Sequence, residues 1–198
     1  MTQPELQSVF KRLCVENGAD YERAYMIFGP AGLDLSNGLP ASGNVELKKG
    51  MFIRIDGQAK YQGYICNLSR IVGFGEVSNS LAKAHSVEKW LVERCMEEMK
   101  PGMKCSDLRQ IELDLYDDIG YPPVIPYTGH GVGRVGHEPP YIALSDHTVL
   151  QPNMVETLEP TICHSEGGDM FISIEDQFLI TEDGIDWLTE SAPMDLYV

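Results

Sequence analysis

Long hydrophobic runs are missing from this chain. No stretch reaches the roughly 18 consecutive apolar residues that a membrane span needs, and the opening MTQPELQSVFKRL has no apolar leader core. The expectation is a soluble, cytoplasmic protein with no membrane partner. Basic residues are scarce: 15 Lys and Arg face 30 Asp and Glu, for a formal net charge of −15. Nucleic acid is therefore excluded as a partner, because attraction to a phosphate backbone needs clustered cations. Cysteine is sparse and scattered, at Cys14, Cys66, Cys95, Cys105 and Cys163, with no C-x-x-C pair. Neither a disulfide framework nor a zinc ribbon follows. H-E-x-x-H is absent as well, which excludes a zincin site.

What is present suffices for one core. With 198 residues, 43% of them hydrophobic, the chain fits a single domain over 1–198. Thr2, Pro4 and Glu5 form a capping-box start to a helix that carries Leu6, Val9, Phe10 and Leu13 and stops at Gly18. Tyr25 to Phe28 reads as a short strand, and the Gly-, Pro-, Asn- and Ser-rich stretch from Gly29 to Asn44 as a long loop. Met51 to Asp56 and Tyr61 to Ile71 read as a hairpin turning at Gly57 to Lys60. Leu81, Ala84, Val87, Leu91 and Cys95 recur at helical spacing as far as Pro101-Gly102. A further helix follows, with Ser106 as its expected cap and Gly120 as its stop. From Tyr127 onward the pattern is strand and turn. This order predicts an α+β domain whose helices cover one face of a largely antiparallel sheet.

Four segments place polar residues where a sheet would otherwise want apolar ones. Asp56 ends an apolar run, with Asn67 eleven residues later on the partner strand; an isolated Asp there also reads as a turn residue. In Gly129-His130-Gly131-Val132-Gly133-Arg134-Val135-Gly136-His137-Glu138-Pro139 the flanking glycines leave His130 accessible, which suits a ligand as well as a structural imidazole. Met154 to Pro160 contributes Glu159. In Met170 to Asp176, alternation sets Ser173 and Glu175 opposite Met170, Ile172 and Ile174. One imidazole with several carboxylates is a set that hard to borderline divalent cations accept.

In order, the segments IDGQAKYQGYICNLSR, GHGVGRVGHEPP, LEP and ISIEDQFLITEDGIDWLT resemble the signature of the pita-bread metallopeptidases, the superfamily of methionine aminopeptidase, Xaa-Pro peptidase and creatinase. The likeness is nearest to the Xaa-Pro peptidase branch. It implies a curved antiparallel sheet covered by helices. It also implies five metal ligands matching Asp56, Asn67, His130, Glu159 and Glu175, for one or two divalent ions (Mn, Co, Zn or Fe), the second site being in doubt. By the same resemblance, Glu159 accepts the proton of a metal-activated water that cleaves a peptide bond at a substrate N-terminus. His137 contacts substrate, and Arg134 beside it is a candidate for binding substrate.

Three departures accompany the resemblance. Asn67 is neutral where a bridging carboxylate is expected, the stretch from Asn37 to Asn44 lacks an expected His, and Ser173 stands where an Arg is common. The superfamily's separate N-terminal domain and first catalytic-domain helix have no counterpart before Thr2, which implies an exposed sheet face and pairing into a homodimer. Short peptides or a small amide are the expected substrates. A creatinase- or ectoine-hydrolase-like C–N hydrolase and a non-catalytic binding protein are the alternatives.

Overall fold

The structure, a computed structural model, describes residues 1–29, 33–34, 39–40, 45–164 and 170–196. Most of the loop expected between Gly29 and Asn44 lies outside the described residues. Helix α1 (Gln3–Glu16) opens on the expected capping box: the Thr2 amide donates to Glu5 Oε2 at 2.8 Å, and the Glu5 amide donates to Thr2 Oγ1 at 3.4 Å. Strand β1 (Asp20–Gly29) follows, then the two-residue strands β2 (Leu33–Asp34) and β3 (Leu39–Pro40). The central hairpin is β4 (Phe52–Tyr61) with β5 (Tyr64–Gly73), and β4 also pairs with β1 in a three-stranded antiparallel sheet.

The hairpin turns at Gln62-Gly63, not at Gly57 to Lys60. Both turn residues have positive φ, 50° and 87°, the backbone that twists correctly into a two-residue hairpin. Gly57 serves another purpose. A Cβ there would lie 2.8 Å from Phe10 Cζ, so its lack of a side chain lets α1 lie against the hairpin.

Helices α2 (Asn79–Glu98) and α3 (Cys105–Ile119) lie on the opposite face. Leu81, Ala84 and Leu91 of α2 and Tyr116 of α3 pack against Phe52 and Ile71, whose side chains point away from α1. The helices therefore sit on both faces of the hairpin, α1 on one and the α2–α3 pair on the other. Trp90 falls off the buried stripe of α2 and is exposed. Lys104, not Ser106, is the N-cap of α3, without a side-chain cap bond; Gly120 ends the helix at φ 70°, as expected.

The remaining strands are β6 (Tyr127–Gly131), β7 (Glu138–Ala143), β8 (Val155–Leu158), β9 (Thr161–His164), β10 (Met170–Ser173), β11 (Asp176–Ile180) and β12 (Ile185–Trp187). Five of them form a sheet in the order β12-β11-β8-β6-β7, and β9 pairs with β10. Leu158, Phe178, Ile180 and Ile142 pack this second sheet against Cys95, Cys105 and Leu108 of α2 and α3. The two larger sheets meet where Ser69 of β5 bridges Glu175: each amide donates to the other's carbonyl, at 3.2 and 3.1 Å. His130, Glu159, Glu175 and Asn67 meet at this junction because β5 arrives from one side and β6, β8 and β11 from the other.

Candidate metal centre

Asp56 and Asn67 come from the hairpin. Asp56 is in register with Ser69, and Asn67 with Gln58, so all four side chains project from the face turned towards the second sheet. His130 stands on β6, Glu159 just beyond β8, and Glu175 just before β11. His130 is wholly buried, and its amide donates to Thr157 Oγ1 at 3.1 Å. The ring Nδ1 lies 3.0 Å from the Gly131 carbonyl, which can only accept, so Nδ1 carries a proton. That leaves Nε2 facing Glu159 Oε1 at 3.2 Å and Glu175 Oε1 at 3.5 Å.

Without a metal ion this is a strained electrostatic arrangement. Burial works against a charged imidazole, but Glu159 and Glu175 outweigh it and push His130 up to about 10. Burial, reinforced by the negative charge of Glu159, pushes Glu175 up to about 8. Asn67 donates from Nδ2 to Glu175 Oε1 at 2.5 Å, while its backbone amide donates to Gln177 Oε1 at 3.0 Å. Asn67 Oδ1, His130 Nε2 and Glu159 Oε1 are all buried without a hydrogen-bond partner. Two buried carboxylates converging on one imidazole are costly unless a positive charge, the imidazole proton or a metal cation, balances them. A divalent ion fits this donor set, since carboxylate oxygens and one imidazole nitrogen suit the borderline divalent metals.

His137 belongs to the same cluster, with a nitrogen within 4.8 Å of donor atoms on both His130 and Glu159. Its ring stacks on that of His130, the centroids 3.9 Å apart. Its tautomer follows from its neighbour. Arg23 Nη2 approaches His137 Nδ1 at 3.3 Å, and a guanidinium only donates, so Nδ1 accepts. Burial first, then the charges of His130 and Arg23, lower His137 to about 4, so the ring is neutral and its single proton sits on Nε2. A protonated Nε2 cannot ligate a metal. His137 is thereby a hydrogen-bond donor beside His130, Glu159 and Glu175.

Asp56 is set apart by an ion pair with Arg54 of the same strand, Nη2 to Oδ2 at 3.0 Å. Arg134 lies exposed on the turn between β6 and β7, and among the described residues no ion pair engages it. Arg70 points to the other face of β5 and holds Asp176 at 2.7 Å, so it does not reach the cluster. The adjacent carboxylates of Glu175 and Asp176 thus diverge, one into the cluster and one towards Arg70. Glu88 of α2, fully buried, accepts from the Ile174 amide at 3.3 Å and so fixes the backbone next to Glu175. Sequence reading missed Arg23, Arg54, Gln58 and Glu88. Only Arg54 had a local signal, its two-residue offset from Asp56 on one strand; the others meet the site across long sequence separations.

Sheets joined over a buried carboxylate and imidazole cluster place the protein in the pita-bread metallohydrolase class. Residues 1–182 match the model of metallopeptidase family M24, and the chain belongs to that family. It is 33% identical over 146 residues to a Xaa-Pro dipeptidase of Pyrococcus furiosus, which covers 73% of this chain and 41% of the relative. An uncharacterized peptidase of Bacillus subtilis is 31% identical over 153 residues, 77% of this chain and 42% of the relative. Among solved structures, an X-Pro aminopeptidase from Thermotoga maritima superposes with a TM-score of 0.90 at 27% identity, covering all of this chain and 55% of its own. A methionine aminopeptidase from Rickettsia prowazekii shares the fold, with a TM-score of 0.79 at 21% identity. The chain spans about two fifths of the length of the curated relatives it matches. No helix among the described residues is long and apolar enough to cross a membrane.

Proposed function

We propose that the protein is a metal-dependent peptidase that cleaves short Xaa-Pro peptides at their N-terminal bond, with one divalent ion (Mn, Co, Zn or Fe) held by His130, Glu159 and Glu175. The observation that carries this reading is the convergence of His130 Nε2 with the carboxylate oxygens of Glu159 and Glu175, at 3.2 and 3.5 Å, in a buried site. The names of the relatives direct it towards Xaa-Pro peptides.

The bound ion supplies Lewis-acid activation of water and of the scissile carbonyl. The residues of the chain do the rest. Glu159, the most solvent-accessible of the three ligands, accepts the proton released from water and passes it to the departing amine. His137 donates from Nε2 to the carbonyl oxygen as negative charge builds there, and Arg23 holds that tautomer in place. Glu175, pinned through Asn67 and the Ser69 bridge, keeps the anionic set rigid. Asp56 stays with Arg54, and Asn67 contributes a neutral oxygen, so the balance of charge favours a single ion over two.

The test is hydrolysis of Ala-Pro and Met-Pro by protein loaded separately with Mn, Co and Zn, read as proline release. Metal-dependent release that disappears in Glu159→Gln is expected. A protein that binds metal at His130 yet releases no proline from any Xaa-Pro peptide would overturn the catalytic reading.

A further inference from the structure

Glu88 of α2 and Glu112 of α3 are wholly buried, and neither belongs to the cluster around His130. We propose that Glu88 Oε2, Glu112 Oε1 and Thr128 Oγ1 bind one alkali cation, Na⁺ or K⁺, in the seam between α2, α3 and β6. These residues are distinct from the divalent-ion cluster, so the site stands or falls apart from the peptidase reading.

Helical spacing brings the two carboxylates to one seam. Glu88 lies one turn beyond Ala84 and one turn before Leu91 on the buried stripe of α2, and Glu112 stands one turn from both Leu108 and Tyr116 on that of α3. Tyr116 packs in one cluster with Ala84 and Leu91, so the two stripes face each other at this level. Burial raises the Glu88 carboxyl well above its ordinary range, and the charge of Glu112 adds to the rise. Thr128, also wholly buried, meets Glu112 from the strand side, and its hydroxyl favours the charged form of that carboxyl.

Positive charge is short in this seam. Arg109 donates from Nη1 to Glu112 Oε2 and from Nη2 to the Ile125 carbonyl, so one guanidinium stands against two carboxylates. Arg54, the other cation that acts on Glu88, is committed to Asp56. Tyr116 spends its hydroxyl on Thr161, donating to the carbonyl and accepting from the amide. Glu88 Oε1 takes the Ile174 amide, which leaves Glu88 Oε2, Glu112 Oε1 and Thr128 Oγ1 buried without a hydrogen-bond partner. Uncompensated buried charge is costly, and one further positive charge removes it. A proton shared by the two carboxyl groups would supply that charge but leave Thr128 Oγ1 as it stands. A hard cation takes oxygen ligands and satisfies all three. A single unit of charge balances the site, whereas a divalent ion would overshoot. The Glu159 amide donates to the Thr128 carbonyl at 2.6 Å, so the alkali ion lies behind the backbone that carries both Glu159 and Glu175.

The experiment is thermal unfolding of protein freed of divalent ions with tetramethylammonium EDTA, in NaCl, KCl or tetramethylammonium chloride at equal ionic strength. Tm should rise in NaCl or KCl over tetramethylammonium chloride, by about 3–6 °C at ten times the dissociation constant. The ion with the lower titration midpoint is the occupant. The rise should vanish in Glu88→Gln, which leaves Glu112 and Arg109 balanced, and should need more salt in Thr128→Val. It should persist in Glu159→Gln, whose change lies in the divalent-ion cluster. Tl⁺ diffused into crystals of the native protein should give an anomalous peak between Glu88 and Glu112. Equal Tm in all three salts overturns the site and leaves a shared proton to balance the pair. A rise that survives Glu88→Gln, or one lost in Glu159→Gln, overturns it as well, as do Tl⁺ peaks found only elsewhere. Absence of metal-dependent proline release would count against the peptidase reading alone.

Discussion

Arg54 Nη2 lies 3.0 Å from Asp56 Oδ2, two residues along the same strand and both largely buried. The carboxylate that family resemblance offers as a metal ligand is thus already balanced by a covalently attached cation. Asn67 removes a second negative charge from the same side of the site. On the other side, Glu159 and Glu175 share one imidazole, His130, which can give up its Nε2 proton for a metal as a guanidinium cannot. These two facts together favour one ion per chain.

Metal content by mass spectrometry, after dialysis against Mn, Co or Zn, should approach one ion per chain and fall to background in His130→Ala. The paired change Arg54→Leu with Asn67→Asp should raise the content towards two by freeing Asp56 and restoring a bridging carboxylate. A second ion bound by the native protein would show that Arg54 gives way to metal.

Gly129 limits how far the site tolerates change. A Cβ at this position would collide with the Thr157 carbonyl of β8, a backbone atom that cannot step aside. Gly129→Ala should therefore push β6 from β8 and displace His130, whose amide bonds to Thr157. The expected cost is roughly 1–3 kcal/mol by chemical unfolding, with metal affinity lost alongside. Unaltered stability and affinity would mean that β6 and β8 separate easily.

Asp176 should matter for stability more than for chemistry. Its Oδ1 accepts from Arg70, Trp187 Nε1 and Thr189 Oγ1, at 2.7, 3.0 and 2.5 Å. Asp176→Ala strands a buried guanidinium and should cost about 3–5 kcal/mol in urea unfolding. Ion affinity measured on the folded fraction should change far less than in Glu175→Ala, the neighbouring residue that faces the cluster.

Glu156 should make stability fall with pH. It is buried on β8 with one carboxylate oxygen unpartnered, and burial pushes its carboxyl from 4.5 up to about 8. A carboxyl raised in the folded state binds more protons folded than unfolded. Its favourable contribution is complete below about pH 4.5 and is lost as pH rises through about 8. Glu156→Gln should therefore match the native protein near pH 4 and exceed it near pH 9, by up to roughly 5 kcal/mol in urea unfolding. Parallel pH profiles for the two proteins would show that Glu156 is not buried as described.

By itself, the sequence determined the helices and the chemistry on offer. The capping box at Thr2 and Glu5, the three-to-four spacing of Leu81, Ala84 and Leu91, and the Gly120 stop are local signals, and local backbone energetics obeyed them. The ordered motifs also set out His130, Glu159 and Glu175 in the sequence, and the structure brings their side chains together. Hairpin register was not legible in the sequence. Gly57 looked like a turn, yet its function is to admit Phe10 from α1, a contact across 47 positions that only packing reveals. Partner choice among charges also waited on the tertiary structure. Arg70 takes Asp176, Arg54 takes Asp56, and Arg23 fixes the proton of His137 across 114 positions. Hydrogen bonds of this kind depend on direction and a few tenths of an ångström, which linear spacing does not encode. Composition and motif supplied the donors and acceptors; the meeting of two sheets decided which of them pair with one another.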